Sequence, residues 1–300
     1  MKYIIPVCVV LIGTLWHTNL LTSEVSMVYN YRIAQVTTQS ISQSNHKNHT
    51  IVALLFDLYQ KKYNNQTRQN FAGGLGSFIY DFDPCYFRID FAACHVHETV
   101  NHKTTLSDTQ TDDILFTLGG SVMKNTNTTI ALSGLFGIPT HKIFTLQHLD
   151  FGYAQVSTGI QVDGTHILNG TGSSAEWGAR YIYFIPRTAQ DNLCNNHNFS
   201  IGNIIDLLFA YKKDWLKHGL ELGYTARFDF GAFSHPKFDD IVESVQYNRS
   251  TFYGVYEYKF SINDMASRLL FNISYGFDTS PKTFGNKNIV TLWAAWDLNF

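Results

Sequence analysis

The sequence predicts an all-β fold, namely a transmembrane antiparallel up-and-down β-barrel of about twelve strands. Three observations support this prediction: apolar and polar residues alternate with period two, aromatic residues are frequent while charged ones are scarce, and the connections alternate between short and long. Successive side chains of a strand point to opposite faces of its sheet, so one face can meet lipid while the other stays polar.

The alternation is clearest in residues 219–230. Leu222 and Phe228 fall on one face of this segment, whereas Glu221 and Arg227 fall on the other. A helix would scatter these charges around its circumference, whereas a strand places them on one side. Similar segments predict strands near 49–60, 70–80, 86–97, 113–124, 129–138, 149–163, 174–185, 201–212, 219–230, 249–260, 267–278 and 288–300. The first of these segments could equally form a short helix.

The composition agrees with strands that face lipid on one side. Aromatic residues make up 15% of the chain and charged residues also only 15%. The mean hydropathy of -0.10 is too polar for a bundle of membrane helices. A net charge of -2 without a basic stripe argues against nucleic-acid binding. A soluble β-sandwich could share this composition and remains an alternative.

The connections alternate in length along the chain. Short turns on one side and long loops on the other are typical of outer-membrane barrels. By this rule the join at residues 164–173 should be a short turn. The predicted strands on either side of it nevertheless leave about ten residues between them. The tight joins are predicted at 81–85, 125–128, 213–218 and 261–266, and the long polar ones at 98–112, 186–200, 231–248 and 279–287.

The N-terminal region is predicted to be a targeting segment, residues 1–23. Lys2 precedes the apolar stretch Tyr3 to Trp16, which is shorter than the roughly 20 residues of a spanning helix and suits a signal-peptide core. A buried N-terminal strand or helix is the alternative. Residues 24–48 form a polar lead-in segment or partial plug, and the barrel is expected to occupy residues 49–300.

Charged residues are predicted on the polar face, which would line the barrel lumen. One interpretation is a polar channel that orients a small hydrophilic solute. The other is a packed interior in which charges pair across strands, since burying unpaired charge is costly. The candidates are Arg88, Asp90, Glu176, Arg180, Asp206, Lys212, Glu221, Arg227, Asp229, Glu257, Lys259, Arg268, Asp278 and Asp297.

No cofactor, metal or catalytic site is predicted. His95 and His97 lie two apart and share a strand face, but a metal site needs three or four convergent ligands. Ser234 and His235 are the only adjacent Ser–His pair, and neighbours in a loop rarely hold attack geometry. A barrel hydrolase is therefore the least favoured function.

The signal peptide, the alternating strands and the last strand together resemble the bacterial outer-membrane β-barrel class. In that class a terminal aromatic residue, preceded by apolar residues at alternate positions, is the assembly signal. Trp296, Leu298 and Phe300 match those positions. The resemblance implies a place in the bacterial outer membrane, contact with its lipid, and handling by periplasmic chaperones and the barrel assembly machinery.

Two functions are open to a chain of this class. The first is a passive pore or transporter for small polar solutes. The second is a non-conducting structural or adhesive barrel that acts through its long extracellular loops.

Overall fold

The computed structural model shows an all-β protein. It describes residues 48–52, 59–63, 67–82, 84–100, 103–111, 113–140, 156–168, 172–190, 196–199, 203–229, 248–262, 265–278 and 288–299. Within these ranges no helix is long and apolar enough to cross a membrane. The strands are β1 (Asn48–Val52), β2 (Tyr59–Tyr63), β3 (Thr67–Phe82), β4 (Cys85–Val100), β5 (Lys103–Thr111), β6 (Ile114–Lys124), β7 (Thr128–Ile138), β8 (Ser157–Leu168), β9 (Ser173–Phe184), β10 (Arg187–Gln190), β11 (Asn196–Phe199), β12 (Asn203–Trp215), β13 (His218–Asp229), β14 (Asn248–Ile262), β15 (Met265–Asp278) and β16 (Asn288–Asn299).

Fourteen of these strands form one sheet in the order β2-β3-β1-β16-β15-β14-β13-β12-β9-β8-β7-β6-β4-β5, and β3 also pairs with β4. Every pairing in the sheet is antiparallel, and from β6 to β16 each strand lies beside its neighbours in sequence once the small β10–β11 hairpin is set aside. The predicted antiparallel up-and-down β fold is therefore confirmed.

The two ends of the chain meet in this sheet. β1 pairs with the C-terminal strand β16 on one side and with β3 on the other. β2 continues along the same edge of β3, and β5 and β6 both pair with β4. The segment predicted near 49–60 is thus strand at both ends, while residues 53–58 lie outside the described residues.

The tight turns lie where the sequence predicts them, and all fall at one end of the sheet, here called the turn side. β3 and β4 are joined by two residues, β6 and β7 by three, and β12 and β13 by two. Leu216 in the last of these turns has a φ of 44°, a left-handed conformation that non-glycine residues adopt at some cost.

The join predicted at residues 164–173 is wrong. β8 runs from Ser157 to Leu168, so most of this segment is strand and the connection to β9 is short. Gly164 pairs directly with Trp177 on β9, and a Cβ at Gly164 would collide with the indole ring. Glycine in a strand marks such a close approach as readily as it marks a turn. The start of the strand predicted at 149–163 lies outside the described residues up to 155.

Two of the predicted long loops also contain strands. β4 continues to Val100 and pairs with β5, with a register shift between Glu98 and Thr99. β10 and β11 form a separate hairpin within the segment predicted as the loop 186–200. A strand that extends beyond lipid needs no apolar face, so a polar sequence there resembles a loop. The predicted signal peptide and, apart from Asn48, the lead-in segment lie outside the described residues.

Candidate functional site

The two faces of the sheet differ in exposure in the sense opposite to a soluble protein. On β13, Leu222 is 56% exposed and the adjacent Glu221 only 6%. The same holds on β15, where Phe271 is exposed and Asn272 is buried. The backbone alternation therefore turns apolar side chains outward and polar ones inward, toward what is here called the inner face.

This inversion recurs on other strands of the described part of the sheet, and the inner face also buries apolar side chains, among them Ile182, Phe184, Ile204 and Leu208. An apolar outer surface around a polar interior is the arrangement of a transmembrane barrel. Large exposed apolar side chains include Phe78, Phe91, Leu118, Leu132, Phe136, Ile160, Phe209, Leu222, Phe252, Phe271 and Ile273. Buried polar or charged ones include Ser77, Arg88, Asp90, Gln161, Asp163, Glu176, Arg180, Asp206, Lys212, Glu221, Arg227, Glu257 and Asn272.

Asp206 on β12 is held between two arginines on the inner face. Its direct cross-strand partners are Arg180 on β9 and Arg227 on β13. Arg180 donates to Asp206 Oδ2 from Nε at 3.1 Å and from Nη2 at 2.6 Å. Arg227 Nε donates to Oδ1 at 2.8 Å. Both carboxylate oxygens are thus engaged by guanidinium groups, which makes this the kind of charge-assisted pairing that buried ions require.

A second buried ion pair lies on β4. Arg88 donates to Asp90 Oδ1 from Nε at 2.7 Å and lies within 2.6 Å of it through Nη2. Ser77 on β3 donates to the same oxygen at 2.6 Å. Arg88 and Asp90 are as deeply buried as Arg180, at 1%, 1% and 2% exposed. We call Arg88, Asp90, Arg180, Asp206 and Arg227 the arginine cluster.

A third group of charges lies nearer the turn side and joins three strands. Lys212 on β12 is 2.8 Å from Glu257 Oε2 on β14, and Lys259 on β14 donates to Asp214 Oδ1 at 2.7 Å. Arg268 on β15 lies 3.5 Å from Glu257 Oε1. We call these five residues the turn-side network.

The turn-side network depends on Gly219, which has no side chain. Gly219 on β13 is the direct partner of both Asp214 and Glu257. A Cβ there would lie 2.9 Å from Asp214 Oδ1 and 3.2 Å from Glu257 Oε2. The charged side chains of β12 and β14 reach each other because the strand between them presents no side chain at this point.

The arginine cluster and the turn-side network lie at different depths. Asp206 and Lys212 are six residues apart on β12, which corresponds to about 20 Å along a strand. In the turn-side network the side chains of Lys259 and Asp214 are 33% and 32% exposed. In the arginine cluster those of Arg88 and Arg180 are each 1% exposed.

The other residues singled out from the sequence divide into three sets. Glu176 and Glu221 are buried, and Glu221 accepts a hydrogen bond from Tyr253 at 3.0 Å. Trp296 is half-buried. The side chains of Asp229, Asp278, Asp297 and Leu298, and the whole of Phe300, lie outside what the structure describes.

Sequence reasoning missed several inner-face residues. Asp214 follows Lys212 by two positions and so shares its face, but the sequence placed it in the turn predicted at 213–218. β12 in fact continues to Trp215. Ser77 and Gln161 carry no distinctive sequence signal, because uncharged polar residues are common on strands. Gln161 donates to Asp163 Oδ2 at 2.6 Å.

The sequence also drew attention to His95 and His97 and to the pair Ser234–His235. Among the residues that the structure describes, no group of three His, Cys, Asp or Glu side chains could hold a metal ion. The ring of His95 contacts Thr109 Oγ1 at 3.1 Å. The pair Ser234–His235 lies outside the described residues.

Comparison with solved structures finds similar folds in outer-membrane proteins. An outer membrane channel from Pseudomonas putida F1 has a TM-score of 0.64 and 11% identity, over 85% of this chain and 97% of its own. The translocator domain of autotransporter NalP from Neisseria meningitidis has a TM-score of 0.53 and 10% identity, over 93% of this chain and 96% of its own. No protein-family model and no curated protein matches the sequence.

These likenesses concern the fold, and the exposure pattern supplies the physical reason for it. A sheet with apolar side chains outside and ion pairs inside is suited to lipid around it rather than water. The fold and the outer face together define the chain as a bacterial outer-membrane β-barrel protein. The sequence-based expectation of this class and of its outer-membrane location is confirmed.

Proposed function

We propose that the chain forms a closed barrel of twelve strands and acts as a passive pore or transporter for small polar solutes. The observation that carries the proposal is the inner face, where ion pairs run from the turn side to the arginine cluster. Polar interiors of this kind belong to barrels that hold water or a solute within them.

Closure is supported by the strand pairings. β1 pairs with β16 and β3, and β3 pairs with β4, which are pairings that a closed ring of strands would contain. Counting β1 with β2, and β5 with β6, as single interrupted strands reduces the fourteen strands of the sheet to twelve. An open edge in hydrocarbon would leave backbone groups without hydrogen bonds.

The outer face supports a membrane position through its aromatic residues. Near the turn side, the rings of Tyr258 and Phe260 stack at 5.9 Å between centroids, and the ring of His218 lies 5.5 Å from that of Tyr258. His218 adds a hydrogen bond of 2.7 Å to the Tyr256 hydroxyl. Aromatic girdles of this kind mark the membrane–water interface of outer-membrane barrels.

A non-conducting barrel is the second candidate, and one observation favours it. The inner-face charges of the arginine cluster are almost fully buried, as they would be in a barrel whose interior is filled. Eight strands are filled by side chains and sixteen leave a channel. Twelve strands lie between these cases, so the width of the interior depends on the side chains themselves.

The remaining proposals follow from the membrane position. We propose outer-membrane lipid as the partner of the outer face, and periplasmic chaperones and the barrel assembly machinery as partners in biogenesis. We also propose that residues 1–23 are a signal peptide and that residues 24–48 lead into the barrel.

Conductance of refolded protein in a planar lipid bilayer tests the proposed function. A pore gives discrete current steps, whereas a filled barrel gives none. Each sample is first checked on a denaturing gel, where a folded barrel migrates faster unheated than boiled. Folded protein that stays silent at all voltages would favour the non-conducting barrel.

A further inference from the structure

Exposure of the inner face falls steeply from the turn side inward. Lys259 and Asp214 have side chains about one third exposed, at 33% and 32%. Lys212 and Arg268 follow at 10% and 12%. At the arginine cluster Arg180 falls to 1%. Solvent therefore enters the inner face from the turn side and is excluded from the section that holds the arginine cluster together with its apolar neighbours Leu208, Ile204 and Ile182, which are 0–1% exposed.

Solvent is excluded from side chains on two separate parts of the sheet. Arg88 and Asp90 lie on β4, whereas Arg180 lies on β9, and β6, β7 and β8 stand between these two strands in the sheet. Asp90 and Arg180 are nevertheless buried to nearly the same extent, at 1% and 2% exposed. Charged side chains on two separate parts of the wall are therefore both shielded from solvent.

We infer that the arginine cluster is the constriction of the pore, and that Arg180 and Arg227 set its width and its ion preference. The inference rests on the proposed function, because a constriction has meaning only in a barrel that conducts or could be made to conduct. Arg is suited to this role because its guanidinium group stays charged at any physiological pH and pairs with carboxylates in a fixed geometry.

The arrangement around Asp206 allows one arginine to be removed at a time. Arg180 and Arg227 both pair with this carboxylate. When either is replaced by Ala, Asp206 keeps the other as its partner, so the variant avoids an uncompensated buried charge. Each replacement removes a long side chain and one positive charge from the constriction.

The experiment compares Arg180→Ala and Arg227→Ala with the unmodified protein in planar bilayers. Single-channel conductance is measured in symmetrical salt, and the reversal potential is measured across a salt gradient. We expect each variant to raise the conductance by about twofold or more, because the narrowest section limits the current. The reversal potential should shift toward cation preference, because a fixed positive charge has been lost.

Two further variants separate the contribution of side-chain volume from that of charge. Arg180→Met keeps most of the side-chain volume, so it should shift the reversal potential with a smaller rise in conductance. Lys217→Ala removes one positive charge from an exposed turn residue outside the inner face and should leave both quantities unchanged. Each variant is first shown to be folded by its faster migration when unheated, and if one arginine variant fails this check the other decides.

The outcomes are distinct. If the unmodified protein conducts and the folded arginine variants match it in both quantities, the constriction lies elsewhere and the inference is wrong. If neither the unmodified protein nor any variant conducts, the proposed pore is wrong and the inference falls with it. If only the arginine variants conduct, the cluster is the block, and the unmodified protein is a barrel occluded there.

Discussion

Arg180 and Asp206 are direct cross-strand partners on β9 and β12, and their side chains form two hydrogen bonds on the buried inner face, at 3.1 Å and 2.6 Å. Because Arg227 Nε binds the other oxygen of the same carboxylate, Asp206 bridges two guanidinium groups that would otherwise repel each other. Removal of the Asp206 carboxylate should therefore destabilise the folded protein.

We predict that Asp206→Asn destabilises the folded barrel by about 3–5 kcal/mol, the cost of leaving buried charges without their partner. The measurement is the urea dependence of the unheated, fast-migrating gel band. Lys259→Ala is the control, because its salt bridge with Asp214 is one third exposed and such pairs contribute less than about 1 kcal/mol. Equal losses in the two variants would show that Asp206 is not a buried neutralising centre.

Gly223 and Tyr253 provide a test of packing on the inner face. The two residues are direct partners on β13 and β14, and a Cβ at Gly223 would collide with the phenol ring of Tyr253. We predict that Gly223→Ala costs about 1–3 kcal/mol, as overpacking usually does. Gly254→Ala is the matched control on β14, because its nearest neighbour would be Leu222 Cδ2 at 3.5 Å. Indistinguishable unfolding midpoints for these two variants would contradict the packing described.

The facing of β15 can be tested at two adjacent residues. Phe271 is exposed on the outer face, where an Arg near mid-membrane costs roughly 2–4 kcal/mol. Asn272 is buried on the inner face and pairs with Val255, so an Arg there lies diagonally from Glu257 and within its reach. Folded yield in liposomes should fall further for Phe271→Arg than for Asn272→Arg. The opposite order would mean that the outer face does not meet lipid.

Deletion of Phe300 tests the proposed assembly signal at the end of the chain. The deletion removes one residue's pairing and burial, so refolding in detergent should remain largely intact. Membrane levels in cells should fall much more, because the assembly machinery is expected to recognise this residue together with Trp296 and Leu298. Unchanged levels in cells would show that the last strand does not carry the signal.

Much of the fold could be predicted because the physical cause is local. Lipid outside and polar groups inside impose a period of two on every membrane-crossing strand, and residues 219–230 and 268–278 display it directly. The signal is lost where the strand leaves lipid, as at Lys103–Thr111, since a strand that is polar on both sides has no period to detect. It also fails at Gly164, where a glycine accommodates the ring of Trp177 rather than a turn.

By itself, then, the sequence determined the all-β class, the antiparallel hairpins and the face on which each charged residue of a regular strand falls. These properties depend on neighbours one or two residues apart. Only the tertiary structure decided which charges meet, because Asp206 lies 26 residues from Arg180 and 21 from Arg227. Such pairings are set by the register of each hairpin, which turn lengths control. The burial of Arg88 and Arg180 was likewise decided only there, because it depends on partners that are distant in sequence from Arg180 and on how the sheet shields each side chain from solvent.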